Sequence, residues 1–169
     1  AGYRGGGINS YYGTLTVTNS SFISNTANMY GGGLANDAST TTVSGSTFSD
    51  NSSAGPGGGL ENSGTLTLTN STVNGNHAAT DGGGLYWYPD LGTGLSTILN
   101  STIANNVAGT HGGNIYAGIL WQPRNPRIRV KNTIIAFGSP NNCDALIVSD
   151  GNNLENTNLC GLAWTGDKV

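Results

Sequence analysis

Gly-Gly-Gly followed by Ile or Leu recurs along this chain, at Gly5–Ile8, Gly31–Leu34, Gly57–Leu60 and Gly82–Leu85, and Gly112-Gly113-Asn114-Ile115 makes a fifth, variant block. The first four blocks follow one another at a nearly constant interval, and the fifth comes slightly later. Each is followed by an alternating run: Thr14-Leu-Thr-Val-Thr18, Thr40-Thr-Thr-Val-Ser44, Thr65-Leu-Thr-Leu-Thr69, Leu95-Ser-Thr-Ile-Leu99 and, more loosely, Arg127-Ile-Arg-Val-Lys131. A third segment then carries Phe22, Phe48, Val73, Ile103 and Ile134, and in four units an Asn stands three residues later, at Asn25, Asn51, Asn76 and Asn106. Three elements in fixed order, five times over, define an internal repeat, and a fold must satisfy that repeat before anything else.

The period selects the architecture. Alternation at period two in Thr- and Val-rich runs is strand chemistry, and no segment spaces its apolar residues as a helix does. A unit of about 26 residues with three short strands closes one turn of a solenoid. The predicted fold is all-β: a right-handed, single-stranded parallel β-helix of about five three-strand coils with a disulfide-linked C-terminal cap. Coils stacked about 4.8 Å apart give a body roughly 24 Å long. Residues 1–142 are read as the coils, starting near 5, 31, 57, 82 and 112, and 143–169 as a partial coil and cap. Val17, Val43, Leu68, Ile98 and Val130 align as one inward ladder. Leu15, Leu66 and Ile128 form a second, interrupted by Thr41 and Ser96, and Phe22, Phe48, Val73, Ile103 and Ile134 a third. Gly5, Gly31, Gly57, Gly82 and Gly112 open turns that need positive φ or close approach of neighbouring coils. Asn25, Asn51, Asn76 and Asn106 are expected in turns, with side-chain amides bonded from coil to coil.

Composition supports order. Charged residues make up only 9% of the chain and the net charge is −3. Neither nucleic acid nor an anionic membrane is therefore an expected partner. The local basic cluster Arg124, Arg127, Arg129 and Lys131 reads as a solvated face. Cys143 and Cys160 enclose an Asn- and Asp-rich stretch, which suggests a disulfide and an oxidising compartment; two free thiols are the alternative. There is no apolar run long enough to span a bilayer and no signal peptide. The first residue is not Met, which fits a leader already removed or a fragment.

The pairing of Gly-Gly-Gly-[Ile/Leu] with Phe-x-x-Asn resembles the repeat of bacterial polymorphic outer-membrane proteins and their β-helical surface relatives. There the motif is typically Gly-Gly-Ala-[Ile/Leu/Val]; here the third residue is Gly, and only Phe22–Asn25 and Phe48–Asn51 keep the Phe. Asn132-Thr-Ile-Ile135, followed by Cys143 and Cys160, is similar to the end of β-helical passenger regions in large secreted bacterial proteins. The resemblance spans residues 5 to about 162. It implies a β-helix outside the cell or on its surface, serving adhesion or display, with the mode of anchoring left open.

Chemistry is sparse. The nine acids, Asp37, Asp50, Glu61, Asp81, Asp90, Asp144, Asp150, Glu155 and Asp167, read as scattered among different coil positions, with no two aligned on neighbouring coils along one strand. Glycoside hydrolysis needs two carboxylates facing one cleft, so no catalytic constellation is assigned. His77 and His111 read as corresponding turn residues without a third ligand, so no metal or cofactor is assigned either. Tyr86, Trp87 and Tyr88, with Tyr116 and Trp121, form the candidate binding patch: aromatic rings beside polar groups can stack on sugars or on a partner protein. Thr16, Thr42, Thr67 and Thr97 align outward between two further Thr and Ser ranks, an array that resembles the ice-binding face of some antifreeze proteins; strand propensity alone also accounts for it. Asn19, Asn51, Asn70 and Asn100 head Asn-x-Ser/Thr sequons and are candidate glycosylation sites. The expected function is a non-enzymatic, secreted or cell-surface structural or adhesion module. Its partners are other protein subunits, copies of itself stacked end to end in a filament, or surface glycans. A carbohydrate-binding or carbohydrate-cleaving β-helix is the alternative, and ice binding a third reading.

Overall fold

The computed structural model describes residues 2–88, 94–118, 128–144 and 147–169. These form parallel sheets and no helix, stacked as a β-solenoid of about five turns. Each turn carries four strands rather than three. The additional strand follows the repeating Asn: Thr26–Tyr30, Ser52–Ser53, His77–Ala78 and Val107–Ala108, with Gly2–Arg4 at the edge of the same five-stranded sheet. Three of these strands are only two residues long and leave no alternation to read, so the strand does not repeat as a pattern. Three six-stranded sheets complete the walls. One begins with Ile8–Tyr11, directly after the glycine block; one with Thr14–Thr18, the threonine run; and one with Ser21–Ile23. The C-terminal segment adds Cys143–Asp144, Ile147–Ser149 and Leu154–Glu155 as sixth strands of these three sheets, so it forms a partial further coil.

The inward ladders are the core. Val17, Val43, Leu68, Ile98 and Val130 stand in register, and Phe22 stacks on Phe48 with centroids 4.5 Å apart and planes 2° from parallel. Each coil leaves one face of its apolar residues uncovered until the next coil stacks on it, so burial is a property of the stack and not of the unit. The interruption of the Leu15, Leu66, Ile128 ladder has a physical cause. Thr41 donates from Oγ1 to Asn36 Oδ1 at 2.7 Å, Asn36 donates from Nδ2 to Asn62 Oδ1 at 2.6 Å, and Asn62 donates from Nδ2 to Ser96 Oγ at 2.9 Å. Thr41 and Ser96 therefore satisfy a buried amide pair that an aliphatic residue would orphan.

The third ladder requires a correction: Ile103 pairs with Ile135, not Ile134, which is turned outward and 41% exposed. Asn132 takes the positive φ of Asn19, Asn70 and Asn100, so Thr133 falls in the column of Ser20, Ser46, Ser71 and Ser101 and the strand starts one residue later. That column is itself a ladder, in which Ser20, Ser46 and Ser71 each donate a backbone N–H to the serine Oγ of the next coil.

The asparagine ladder is confirmed and extends further than the repeat shows. Asn51 Oδ1 accepts both the backbone N–H and the Nδ2 of Asn25; Asn76 serves Asn51, and Asn106 serves Asn76, in the same way. In the next coil Gly138 stands where the repeat places Asn, and Asn114 stands where it places the third glycine. Asn114 then fills the vacated column, accepting from Asn106 Nδ2 at 2.9 Å and donating to Asn142 Oδ1 at 2.9 Å. A Cβ on Gly138 would lie 2.8 Å from the Asn114 amide nitrogen, so the glycine and the asparagine have exchanged places as a pair.

Candidate functional site

The sheet that follows the glycine blocks positions the site. Its strands alternate, so Leu34, Leu60, Leu85 and Ile115 point inward while Ala35, Glu61, Tyr86, Tyr116 and Asp144 form one outward column. The outward column is not solvated as an outer face should be: Ala35 is 0% and Glu61 2% exposed, as buried as the core leucines beside them. A second column covers it from the corner, made of the residue immediately before each glycine block. These are Arg4, Tyr30, Pro56, Asp81 and His111, each on or beside the backbone of the next. Gly5, Gly31, Gly57, Gly82 and Gly112 have positive φ, and a Cβ on Gly31 would lie 2.4 Å from the Leu34 carbonyl oxygen. Only glycine turns the chain this sharply.

Between the columns lies a pocket of about 240 Å³ lined by Arg4, Tyr30, Glu61, Ser63, Tyr86 and Tyr88. The Arg4 guanidinium stands 4.6 Å from the centre of the Tyr30 ring and pairs with Asp37 through Nη1 at 3.0 Å from Oδ2. Ser63 donates to Asp37 Oδ1 at 3.2 Å. Tyr86 stacks on Tyr116 at 5.5 Å and on Tyr88 at 6.1 Å, with planes 6° and 9° from parallel. At the far end His111 Nδ1 lies 2.8 Å from Asp81 Oδ1, and the His111 ring tilts against Tyr116 at 5.7 Å.

Burial pushes the Tyr30, Tyr86 and Tyr116 hydroxyls above the ordinary tyrosine pKa. Neighbouring charge adds to this: Glu61 near Tyr30, Asp81 near Tyr86, and Asp81 with Asp144 near Tyr116, while Arg4 alone opposes the shift at Tyr30. The three phenols therefore stay protonated and able to donate hydrogen bonds into the alkaline range, with carboxylates nearby. The face offers flat apolar rings, hydroxyl donors and carboxylate acceptors on a rigid sheet.

Several sequence expectations land here, and several do not. Tyr86, Tyr88 and Tyr116 are brought together as expected. Trp87 is not part of the patch: it points inward beside Asn62 and is 5% exposed, because alternation places it on the opposite side from its neighbours. Trp121, Arg124, Arg127 and Asp90 lie outside the described residues. Asp37 and Glu61 are not aligned, as Glu61 pairs with Ala35, but they sit on adjacent strands of one sheet, and Asp81 and Asp144 border the same face. A two-residue offset in register hid the first pair. His77 and His111 do not correspond, because His77 pairs with Val107 while His111 bridges Asp81. Of the basic cluster, Arg129 pairs with Asp150. Asn19, Asn70 and Asn100 are exposed at positive-φ corners, whereas Asn51 is fully buried with its amide committed to the ladder, so the folded chain offers no glycan site there. Cys143 and Cys160 form a disulfide. Sequence reasoning missed Arg4, Tyr30, Asp37 and Glu61 as site residues; the signal that could have found Arg4 and Tyr30 is the position just before each glycine block, where a corner turns the side chain over the sheet, and for Glu61 it is the position after the block's leucine, shared with Tyr86 and Tyr116.

Among the described residues no three His, Cys, Asp or Glu side chains meet as a metal site. Comparison with protein families, with curated proteins and with solved structures finds no match to this chain.

Proposed function

We propose that this chain is a non-enzymatic adhesion module of a secreted or cell-surface protein, and that it engages carbohydrate through the tyrosine face. The observation that carries this reading is the concave pocket walled by Tyr30, Tyr86 and Tyr88 with Arg4, Glu61 and Ser63 within it. Sugars are bound where an aromatic surface meets a few fixed polar groups, and this pocket supplies both. The disulfide supports an oxidising, extracellular setting. A glycan array followed by calorimetry on the best ligand tests it. Tyr86→Ala with Tyr88→Ala is expected to weaken binding about tenfold, at about 0.5–1.5 kcal/mol for each aromatic contact, with the β-sheet circular dichroism retained. Unchanged affinity in that variant overturns the assignment.

A second reading has its own observation. The threonine sheet keeps Thr14, Thr40 and Thr65, then Thr16, Thr42, Thr67 and Thr97, in unbroken register on an outer face. Such a regular hydroxyl and methyl array resembles the ice-binding face of some antifreeze proteins. Thermal hysteresis in the parent chain, abolished by Thr42→Tyr, would favour that function over the first; its absence removes it.

A further inference from the structure

The described charged groups on the tyrosine face are four carboxylates, Asp37, Glu61, Asp81 and Asp144, against one guanidinium, Arg4, with His111 beside Asp81. The guanidinium is itself informative. It lies over the Tyr30 ring and pairs with Asp37. The face thus already holds one cation in the two ways such a face can, by an aromatic ring and by a carboxylate. The remaining rings, Tyr86, Tyr88 and Tyr116, have Glu61, Asp81 or Asp144 as neighbours and no described Lys or Arg of their own.

We propose that this pocket selects aminated, positively charged saccharides over neutral N-acetylated ones and rejects uronates. The inference rests on the carbohydrate reading above and adds the sign of the ligand's charge to it. An ammonium on a sugar ring placed against Tyr86 or Tyr88 would meet the negative face of the phenol and the carboxylates beyond it. A uronate in the same place would bring like charges together in a half-buried site, where they are poorly screened. Arg4 then acts as a competitor for part of the site, tethered by the chain.

The test titrates the whole chain with three tetrasaccharides of equal length: N,N,N-trimethylglucosamine, whose charge is permanent, N-acetylglucosamine, and galacturonate. It is run at about pH 7.5, where galacturonate is ionised. The cationic oligomer is expected to bind about five- to tenfold more tightly than the neutral one, the preference shrinking as salt is raised, and the galacturonate not to bind. Glu61→Gln with Asp81→Asn is expected to bring the cationic-to-neutral ratio close to one. Arg4→Ala is expected to raise it, by exposing Tyr30 and Asp37, a gain that mere loss of structure does not produce; melting temperatures confirm that each variant is folded. Equal binding of cationic and neutral oligomers overturns the charge selection and leaves carbohydrate recognition standing. Binding of galacturonate overturns it as well. If no saccharide binds, or if an oligolysine peptide binds far more tightly than any of them, the carbohydrate reading itself falls and the inference falls with it.

Discussion

Truncating one interior member of the asparagine ladder should cost more than any surface change in this chain. Asn76 is 0% exposed. Its Oδ1 accepts the Asn51 backbone N–H at 3.0 Å and the Asn51 Nδ2 at 2.9 Å, and its Nδ2 donates to Phe48 O at 3.0 Å and to Asn106 Oδ1 at 2.9 Å. Asn76→Ala takes the acceptor away from two donors of Asn51, itself fully buried, where water does not reach. Each orphaned buried group costs about 1–3 kcal/mol, so the loss should be about 2–6 kcal/mol, or about 4–24 °C in melting temperature for a chain of this size. Asn25→Ala is the control. Asn25 is half-exposed in the first coil, and its alanine variant keeps the backbone N–H bond to Asn51 Oδ1 while losing the side-chain one. That loss should cost about 1 kcal/mol. A third variant separates geometry from charge. Asn76→Asp keeps the acceptor but turns an oxygen toward Phe48 O and Asn106 Oδ1. Burial then raises the introduced acid's pKa above its unfolded value, so this variant should gain stability as pH falls toward about 4 and lose it as pH rises. Scanning calorimetry of the three proteins decides the matter. Equal losses for Asn76→Ala and Asn25→Ala would refute the claim that the ladder works by satisfying buried donors.

The remaining predictions concern the cap and the tyrosine face. Reducing the Cys143–Cys160 disulfide, or replacing Cys160 with Ser, should lower the urea midpoint. A loop this short corresponds to a loss of about 3 kcal/mol. Asp167 accepts from Ser149 Oγ and from the backbone N–H groups of Asn153 and Trp164; burial alone would raise its pKa, but these bonds win and hold it below the ordinary value. Its contribution should therefore be intact above about pH 4 and fade as pH falls through the depressed value, and Asp167→Asn should flatten that acid limb of the stability profile. Tyr30, Tyr86 and Tyr116 run the other way, because their pKa values are raised. They stabilise the fold fully below about pH 10 and lose that contribution as pH rises past it, so tyrosinate absorbance should lag behind that of free tyrosine and Tyr86→Phe should soften the alkaline unfolding.

The solenoid was legible because its determinants repeat. A column of Val17, Val43, Leu68, Ile98 and Val130 announces a ladder, and the glycine spacing announces a coil. Registers failed where one coil departs from the others. Thr133 looks like the Thr of the earlier Thr-Ile and Thr-Val pairs, yet Asn132 takes the corner conformation of Asn19, Asn70 and Asn100, so Thr133 falls in the serine column and Ile134 where Thr102 stands. Trp87 looked like a binding residue because it lies between two tyrosines; alternation at period two sends it to the opposite side of the sheet. The exchange of Asn114 and Gly138 could not be read from either residue alone, because it depends on the Asn114 side chain occupying a space that Gly138 of the same coil leaves open.

Those departures separate architecture from function. In a stack of coils the inward positions and the close backbone approaches are constrained by the neighbouring coil, so uniform columns there need no further reason. The outward positions are free. On the threonine sheet that freedom is left unused, with Thr above Thr above Thr, as strand propensity on a solvated face allows. On the tyrosine sheet the outward column runs Asn9, Ala35, Glu61, Tyr86, Tyr116 and Asp144, and the corner column runs Arg4, Tyr30, Pro56, Asp81 and His111. Aspartate is a poor strand former, and a carboxylate taken out of water is costly to place. Glu61 is nevertheless buried on an outer face. Among the described residues, the column that is irregular where regularity is easiest, and buried where exposure is free, coincides with the face on which rings, hydroxyls and carboxylates converge.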